Sequence, residues 1–367
     1  MITKGAKLKI IFVLPRAFYE TPIGGYKIIF SYANALIKNN HDVYIYFLSD
    51  AFPPVNEFSV WQLCRFIYHK FLKNRNKKIT WFKIDPRIHL YFEKSTLAST
   101  FHSGDAVFAT AASTAKLVDR LSPRHGKHFY FIQHDESTFE PDYDTHNTWK
   151  LNMKKIAVAT WIKQRIEKQT QSNVTLVPNF VNQQSFGIDN DVAHRHPVIS
   201  MLYNTQSIKG TKYGMEALDI IKKLYPSVRV ILFGVTSGPA YASFDFEYVQ
   251  RANNLQLRQI YNESSIFVLP SILEGWGLTA TEAMACGAAL VTTENGGVDD
   301  FTQNNVSAIK VPVKSSLGLA KGIEKLLTND RLRIQIAKEG SVSIQKFTFE
   351  RSFNELESII KQEVRHV

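Results

Sequence analysis

The most specific pattern in this chain is the stretch Pro270-Ser-Ile-Leu-Glu-Gly-Trp-Gly-Leu-Thr-Ala-Thr-Glu-Ala-Met-Ala-Cys-Gly287. An apolar run over residues 265–269 precedes it and predicts a buried strand. A loop with two glycines follows, and a helix-forming segment begins near Leu278. Free backbone N–H groups and the positive end of the helix dipole point the same way at such a place. The stretch therefore predicts an anion-binding site between a strand and a helix.

Two glutamates lie in this stretch, Glu274 in the loop and Glu282 in or near the first helical turn. Their carboxylates would repel a bound phosphate if they faced it. They are better explained as hydrogen-bond acceptors for hydroxyls on either side of the phosphates, such as a ribose and a second sugar. The combination predicts a nucleotide-sugar site.

Glu274-x7-Glu282, within P-S-x-x-E-G-W-G-L-x-x-x-E-A-M-A-C-G, resembles the signature of retaining GT-B glycosyltransferases of family 4. The resemblance extends over nearly the whole chain, and the C-terminal half carries most of its specificity. It implies an α/β protein of the GT-B type, with two Rossmann-like domains whose parallel sheets face a central cleft. It also implies a nucleoside-diphosphate sugar as donor.

The resemblance assigns donor-binding roles in the second half of the chain. Glu274 is expected to bind hydroxyls of the donor sugar, and Glu282 those of the ribose. Lys209 and Gly210 match the phosphate-binding pair of the family, since a lysine can neutralise a diphosphate. The remaining implied donor contacts are Asn254 and Leu255 at the nucleobase, and Gly275, Trp276, Gly277, Leu278 and Thr279 around the phosphates.

One position departs from the family pattern. Relatives usually carry an arginine about five residues before Lys209, where this chain has Asn204. Stabilisation of the leaving group would then rest on Lys209, Lys212 and backbone amides. The catalytic residues implied by the resemblance are His134, Lys209 and Glu274.

A glycine pair, Gly24-Gly25, lies between a predicted strand and a helix that begins at Tyr26. Adjacent glycines let the backbone approach a ligand closely, and in the resembled enzymes this loop faces the donor diphosphate. The pair is no G-x-G-x-x-G fingerprint, so dinucleotide binding has little support. A plain strand-to-helix turn is the alternative interpretation.

A polar cluster, His134-Asp135-Glu136, ends another apolar strand. Open α/β sheets bind ligands at the carboxyl ends of their strands. The resemblance implies that His134 contacts the donor sugar or an acceptor hydroxyl, with Asp135 and Glu136 as acceptor contacts. A structural role for the histidine is the alternative.

Short apolar runs alternate with helical patterns along the 367 residues, which predicts parallel sheets covered on both faces. We expect an N-terminal domain over residues 1–182 and a C-terminal donor domain over 183–347. In the resembled family the last helix, here 348–367, packs back on the N-terminal domain. The predicted strands lie at 8–14, 43–48, 106–109, 128–132, 155–159 and 174–177, then at 198–203, 228–233, 265–269, 289–292 and 308–311. The predicted helices lie at 26–38, 160–170 with a Thr160 cap, 213–224, 256–261, 278–286 and 317–327.

The net charge of +11 favours polyanionic partners. Residues 61–83 hold seven basic side chains and no acidic one, interleaved with aromatics. Such a segment can lie on an anionic membrane surface, or it can be a surface helix whose aromatics pack on the domain beneath. Nucleic-acid binding lacks a recognisable module.

Several other signals are weak. The longest apolar runs are too short for a membrane span, and the N-terminal one lacks the features of a signal peptide. Cys64 and Cys286 are isolated, so neither a disulfide framework nor a metal cluster is indicated, and a cytoplasmic location is expected. Asp189-Asn-Asp191 spells a metal-binding D-x-D, but it lies in the predicted linker 182–196 and is interpreted as a solvated turn.

Together the pattern predicts a cytoplasmic, retaining, metal-independent glycosyltransferase that needs no cofactor. Its donor is a nucleoside-diphosphate sugar, with a UDP-sugar favoured, and its acceptor is a glycan, lipid-linked or free, in bacterial surface polysaccharide synthesis. It is expected at the inner membrane face as a peripheral protein. The alternatives are a degenerate GT-B protein that binds a glycan or partner without catalysis, and a GT-B nucleotide-sugar epimerase or sugar-phosphate synthase.

Overall fold

The computed structural model describes residues 6–48, 78–94, 98–138 and 144–365. Most of the basic segment 61–83 therefore lies outside the described residues. Its described end packs within the protein, because Trp81 and Phe82 both contact the ring of Phe30 at centroid distances of 5.6 and 5.5 Å.

The chain divides into two compact units. The first comprises Met1–Ala157, Lys163–Val177 and Phe353–Val367, and the second comprises Val158–Ile162 and Pro178–Ser352.

In the described residues, the first unit contains a parallel sheet of seven strands in the order β3-β2-β1-β4-β5-β6-β7. Its strands are β1 Lys9–Leu14, β2 Asp42–Leu48, β3 His89–Lys94, β4 Ala106–Ala109, β5 Lys127–Ile132, β6 Lys154–Ala157 and β7 Val174–Leu176. Its helices are α1 Gly24–Lys38, α2 Ala112–Asp119, the short α3 Thr145–Thr148 and most of α4 Thr160–Thr170. All four residues of β4 are buried, as expected for a central strand covered on both faces.

The second unit contains a parallel sheet of six strands in the order β10-β9-β8-β11-β12-β13, again counted over the described residues. Its strands are β8 Val198–Leu202, β9 Arg229–Gly234, β10 Glu247–Gln250, β11 Ile266–Leu269, β12 Ala289–Thr293 and β13 Ile309–Val311. Its helices are α5 Thr211–Leu224, α6 Asn254–Glu263, α7 Leu278–Ala285, α8 Ser316–Leu327 and α9 Asp330–Ile344. Apolar side chains of α5, α8 and α9 pack on the sheet and form the core.

The last helix, α10 Phe349–Val364, has most of its length in the first unit. Glu357 accepts hydrogen bonds from Asn39 and His41, at 2.9 and 3.0 Å. Further along the helix, Glu363 pairs with Lys127 and Lys154.

The predicted α/β fold with two parallel sheets is confirmed. The predicted strands occur within two residues of their expected bounds, but the edge strands β3 and β10 and the helices α2, α3 and α9 were not predicted. Edge strand β10 has two half-buried residues between two exposed ones and no apolar run, so its sequence carries little signal.

Three local predictions were wrong. Helix α4 begins at Thr160, so Thr160 is the first helical residue and not the N-cap of the helix. Its N–H donates to Asp300. Helix α6 begins at Asn254 and not after Leu255, because Asn253 caps it and accepts a hydrogen bond from the Gln256 N–H at 3.0 Å.

The polar interval 182–196 is likewise more than a linker, since Phe186 and Val192 are buried in the second unit. Its D-x-D sequence serves local structure. Asp189 pairs with Arg258, and Asp191 accepts a hydrogen bond from the Ala193 N–H at 3.0 Å. Over the described residues, no group of three or more His, Cys, Asp or Glu could hold a metal ion. In the same residues, no helix is long and apolar enough to span a membrane.

Candidate functional site

The glycine loop of the second unit connects β11 to α7. Strand β11 ends at Leu269, and Gly277 precedes the helix with φ of +94°, in the left-handed region that favours glycine. Because glycine has no side chain, no cap atom covers the amides of Leu278 and Thr279. The helix start therefore presents backbone N–H groups beside the loop, as the sequence predicted for an anion.

Glu274 is the best-connected side chain of this loop. Its carboxylate is 7% exposed and accepts hydrogen bonds from Lys209 Nζ, which lies 2.9 Å from each oxygen. The Ser271 hydroxyl donates to Oε1 at 2.7 Å. The fold thus brings together two predicted catalytic residues that lie 65 positions apart in the chain.

Gly210 explains why Lys209 reaches this position. It precedes α5 with φ of +61°, and a Cβ there would lie 2.0 Å from the carbonyl oxygen of Pro270. The Ile272 N–H also donates to the Ile208 carbonyl at 2.8 Å. The loop after β8 is therefore pressed directly against the loop after β11, which places the Lys209 ammonium at the Glu274 carboxylate.

Glu282 is the fifth residue of α7, just after the first turn, and is 6% exposed. The Tyr261 hydroxyl of α6 donates to its Oε2 at 3.5 Å. Burial, together with the nearby Glu282 charge, raises the pKa of Tyr261 well above its usual value. Tyr261 consequently stays protonated and keeps a donor directed at Glu282.

The residues predicted to meet the nucleobase lie at the other end of α6. Asn254 and Leu255 form its first turn, and Leu255 is 78% exposed. Because Tyr261 belongs to the same helix, α6 links this exposed end to Glu282.

Asn204, which stands where the resembled family usually has an arginine, makes hydrogen bonds within the loop after β8. Its Oδ1 accepts a hydrogen bond from the Gln206 N–H at 2.9 Å, and the Thr211 hydroxyl donates to its carbonyl at 2.6 Å. Asn204 and Lys212 line an open cavity of about 390 Å³ with Tyr203 and Tyr241. Lys212 is largely exposed and lies 4.0 Å from Glu216, and its expected part in stabilising the leaving group stays a prediction.

In the first unit, Gly24 and Gly25 are the first two residues of α1. A Cβ on Gly25 would lie 3.1 Å from the Gln133 side chain, so the start of α1 lies beside the end of β5. His134 follows Gln133, and its Nδ1 donates to the Asp135 carbonyl at 2.9 Å. Gly25 and His134 are thus near neighbours within this unit.

Asp135 and Glu136 are bound into the structure around them. Asp135 is fully buried and accepts hydrogen bonds from the Ser137 N–H and hydroxyl. Its Oδ2 also lies 3.0 Å from Arg165 Nε, as an ion pair. Glu136 accepts a hydrogen bond from the Ala112 N–H at 2.8 Å, at the start of α2. Their expected role at the acceptor stays a prediction.

Sequence reasoning missed four residues of the second-unit site. They are Ser271, Tyr261, Asn295 and Trp161, which contact the predicted glutamates or the loop that carries them. Ser271 lies inside the quoted motif, where it could have been singled out. Tyr261, Asn295 and Trp161 lie outside it, so the motif does not mark them.

Comparison with known proteins links this geometry to one family. Residues 188–342 match the model of the glycosyl transferases group 1. The chain is 27% identical over 151 residues to the N,N'-diacetylbacillosaminyl-diphospho-undecaprenol alpha-1,3-N-acetylgalactosaminyltransferase of Campylobacter jejuni. This alignment covers 40% of each chain, so the match spans well under half the length of that relative.

Solved structures share the fold over almost the whole chain. HepE from Anabaena, in complex with UDP-glucose, has a TM-score of 0.74 at 13% identity and covers 97% of this chain and 100% of its own. Sucrose-phosphate synthase from Thermosynechococcus elongatus has a TM-score of 0.72 at 15% identity, covering 98% of this chain and 100% of its own. The family model thus relates residues 188–342 to the glycosyl transferases of group 1, and the solved structures show that the GT-B fold is shared.

Proposed function

We propose that the protein is a retaining, metal-independent glycosyltransferase that uses a nucleoside-diphosphate sugar. The observation that carries the proposal is the buried cluster of Glu274, Lys209 and Ser271 at the glycine loop, inside the segment that matches group 1 glycosyl transferases. This cluster pairs a hydroxyl acceptor with a cation, next to uncapped amides of a helix start. Those are the groups that a sugar diphosphate requires.

The chemistry needs most help at the leaving group. The bond between the anomeric carbon and the diphosphate oxygen breaks, and negative charge grows on the diphosphate. In the second unit, Lys209 and the amides of Leu278 and Thr279 would stabilise that charge without reorganising during the reaction. In the first unit, the resemblance assigns Gly24, Gly25 and His134 to the donor, and these assignments form part of the proposal.

Retention follows from how the acceptor is placed. We propose that the acceptor hydroxyl attacks the anomeric carbon from the face that the diphosphate leaves. The new glycosidic bond forms there, and the hydroxyl proton passes to a diphosphate oxygen. Charge stabilisation then comes from Lys209 and backbone amides, so the step requires no metal ion and no further cofactor.

For the donor we favour a UDP-sugar. The HepE structure in complex with UDP-glucose shares the fold, which agrees with this choice. For the acceptor we favour a lipid-linked glycan in bacterial surface polysaccharide synthesis, made at the cytoplasmic membrane face. The Campylobacter jejuni relative is named for N-acetylgalactosaminyl transfer to a diphospho-undecaprenol-linked sugar.

Membrane contact is the part of the proposal that depends on the basic segment 61–83. Replacing its lysines and arginines at 70–78 by glutamine should weaken binding to anionic vesicles and lower turnover on a lipid-linked acceptor. If both stay unchanged, peripheral membrane contact through this segment is wrong.

A second candidate is a degenerate GT-B protein that binds a glycan or partner without catalysis. Asn204 favours it, because this chain lacks the arginine that the resembled family usually carries there. Turnover separates the two candidates. The protein is incubated with UDP-, GDP- and dTDP-sugars and a polyprenyl-diphosphate glycan, and free nucleoside diphosphate and product anomer are measured.

We expect diphosphate release that depends on acceptor, with the donor's anomeric configuration kept in the product. Inversion would contradict the retaining mechanism. An epimerised sugar formed without acceptor would indicate an epimerase, and no conversion with retained glycan binding would favour the degenerate protein.

A further inference from the structure

We propose that Trp161 is a positioning residue for Glu274 and thereby controls recognition of the donor sugar. This inference rests on the proposed function and deepens it. Trp161 lies in the first turn of α4, and by its contacts it belongs to the second unit. Neither the quoted motifs nor the family pattern singles it out.

Trp161 is tied directly to the glycine loop. Its indole Nε1–H donates to the Gly275 carbonyl at 3.1 Å. The preceding residue is fixed as well, because the Thr160 N–H donates to Asp300 at 2.8 Å. The indole therefore approaches the loop from a backbone that is itself held in place.

The indole ring also lies beside a second glycine loop. Gly296 has φ of +79°, and a Cβ there would lie 3.3 Å from the Trp161 ring. The next residue, Gly297, packs so closely on Glu274 that a Cβ would lie 2.6 Å from Glu274 Cβ. Between the two loops, the Glu274 N–H donates to the Asn295 carbonyl at 3.1 Å.

These contacts fix the backbone on both sides of Glu274. The peptide before Glu274 is held by Asn295, and the peptide after Gly275 is held by Trp161. Gly275 is conformationally permissive, so without this tie the loop can rotate just after Glu274. Such a rotation would displace the Glu274 carboxylate from the position in which Lys209 and Ser271 hold it.

The expected consequence is selective. Glu274 is assigned to the donor sugar, whereas the nucleoside diphosphate is assigned to Glu282, Lys209 and helix amides. Loosening Gly275 should therefore weaken the binding of a nucleotide sugar and leave the affinity for the free nucleoside diphosphate unchanged. A substitution that merely destabilised the protein would not change the ratio of these two affinities.

The test uses Trp161→Phe, which keeps a ring on Gly296 and removes the indole donor. A matched control is Trp81→Phe in the first unit, where the indole N–H donates to the Phe18 carbonyl at 2.8 Å. Calorimetry measures the Kd of UDP, UDP-glucose, GDP and GDP-mannose for wild type and both variants, after melting curves show that each is folded.

The comparison uses whichever nucleotide wild type binds. For that nucleotide, Trp161→Phe should raise the Kd of the nucleotide sugar about threefold to tenfold, as expected for the loss of one hydrogen bond. The free diphosphate should bind as in wild type, and Trp81→Phe should change neither affinity. An unchanged ratio in Trp161→Phe, including equal weakening of both ligands, overturns the inference while leaving the proposed function intact. Failure of wild type to bind any of the four ligands contradicts the proposed function, and the inference falls with it.

Discussion

Each unit buries two acidic side chains near the carboxyl ends of its strands, but their partners differ in kind. In the first unit a backbone N–H donates to each acid, that of Ala112 to Glu136 and that of Ser137 to Asp135, and Asp135 also pairs with the Arg165 side chain. In the second unit, Glu274 is paired with Lys209 and Glu282 with Tyr261, both side chains from other elements.

This difference distinguishes buried carboxylates that stabilise the fold from buried carboxylates that can exchange their partner for a ligand. A carboxylate bonded to a backbone N–H holds the fold in place, and removing it leaves that N–H without its acceptor. A carboxylate held by a lysine beside uncapped amides can instead share that lysine with an incoming phosphate. A buried acid at a strand end is therefore a weak indicator of a ligand site, and the type of partner is the stronger one.

The largest expected effect is on catalysis in the second unit. Lys209→Met should lower turnover about 10²- to 10³-fold, the usual loss when one charge-stabilising group is removed from the reacting centre. The matched control is Lys212→Met, since Lys212 is exposed and nearby in sequence. Steady-state kinetics, with melting temperatures measured in parallel, would check it. Equal losses in both variants would mean that general positive charge, and not the Lys209–Glu274 pair, is required.

The next effect contrasts the glycines of the two units. Gly210→Ala should lower the free energy of unfolding by about 3 kcal/mol, because it strains a left-handed residue and forces a Cβ onto a backbone carbonyl. Gly25→Ala should cost less than about 1 kcal/mol, since its Cβ would meet only the flexible end of Gln133. Urea unfolding of both variants measures the difference, and similar losses would remove the contrast.

A smaller effect is expected in the first unit. Asp135→Asn should cost about 1–3 kcal/mol of stability, because it weakens the hydrogen bonds from Ser137 and the ion pair with Arg165. Nucleotide affinity should stay unchanged, measured by calorimetry on the folded variant. A loss of nucleotide binding without a loss of stability would make Asp135 a ligand residue, like those of the second unit.

The smallest expected effect is that of a chelator. Because Lys209 and backbone amides carry the charge stabilisation, EDTA should leave turnover unchanged. A loss that magnesium or manganese restores would contradict the metal-independent proposal. It would also place a metal ion where Lys209 is assigned.

The sequence predicted the fold well because parallel strands buried on both faces form continuous apolar runs, such as those of β4 and β11. The two glutamates and Lys209-Gly210 could be placed because strand, glycine and helix follow each other closely in the chain. What sequence could not supply was the partner of each acid. The contact of Lys209 with Glu274 depends on the close approach of two loops at Gly210, which leaves no room for a Cβ. The partner of Glu282 is a tyrosine of another helix.

The most direct test of the central claim, that Glu274 and Glu282 frame a nucleotide-sugar site, is thermal unfolding of wild type and Glu282→Ala with UDP, GDP, dTDP, ADP and NADH. One nucleoside diphosphate should stabilise wild type, by about 2.7 kcal/mol at a hundred times its Kd. That stabilisation should disappear in Glu282→Ala, which removes the carboxylate assigned to the ribose. Equal stabilisation of both proteins, or none of wild type by any diphosphate, would contradict the account.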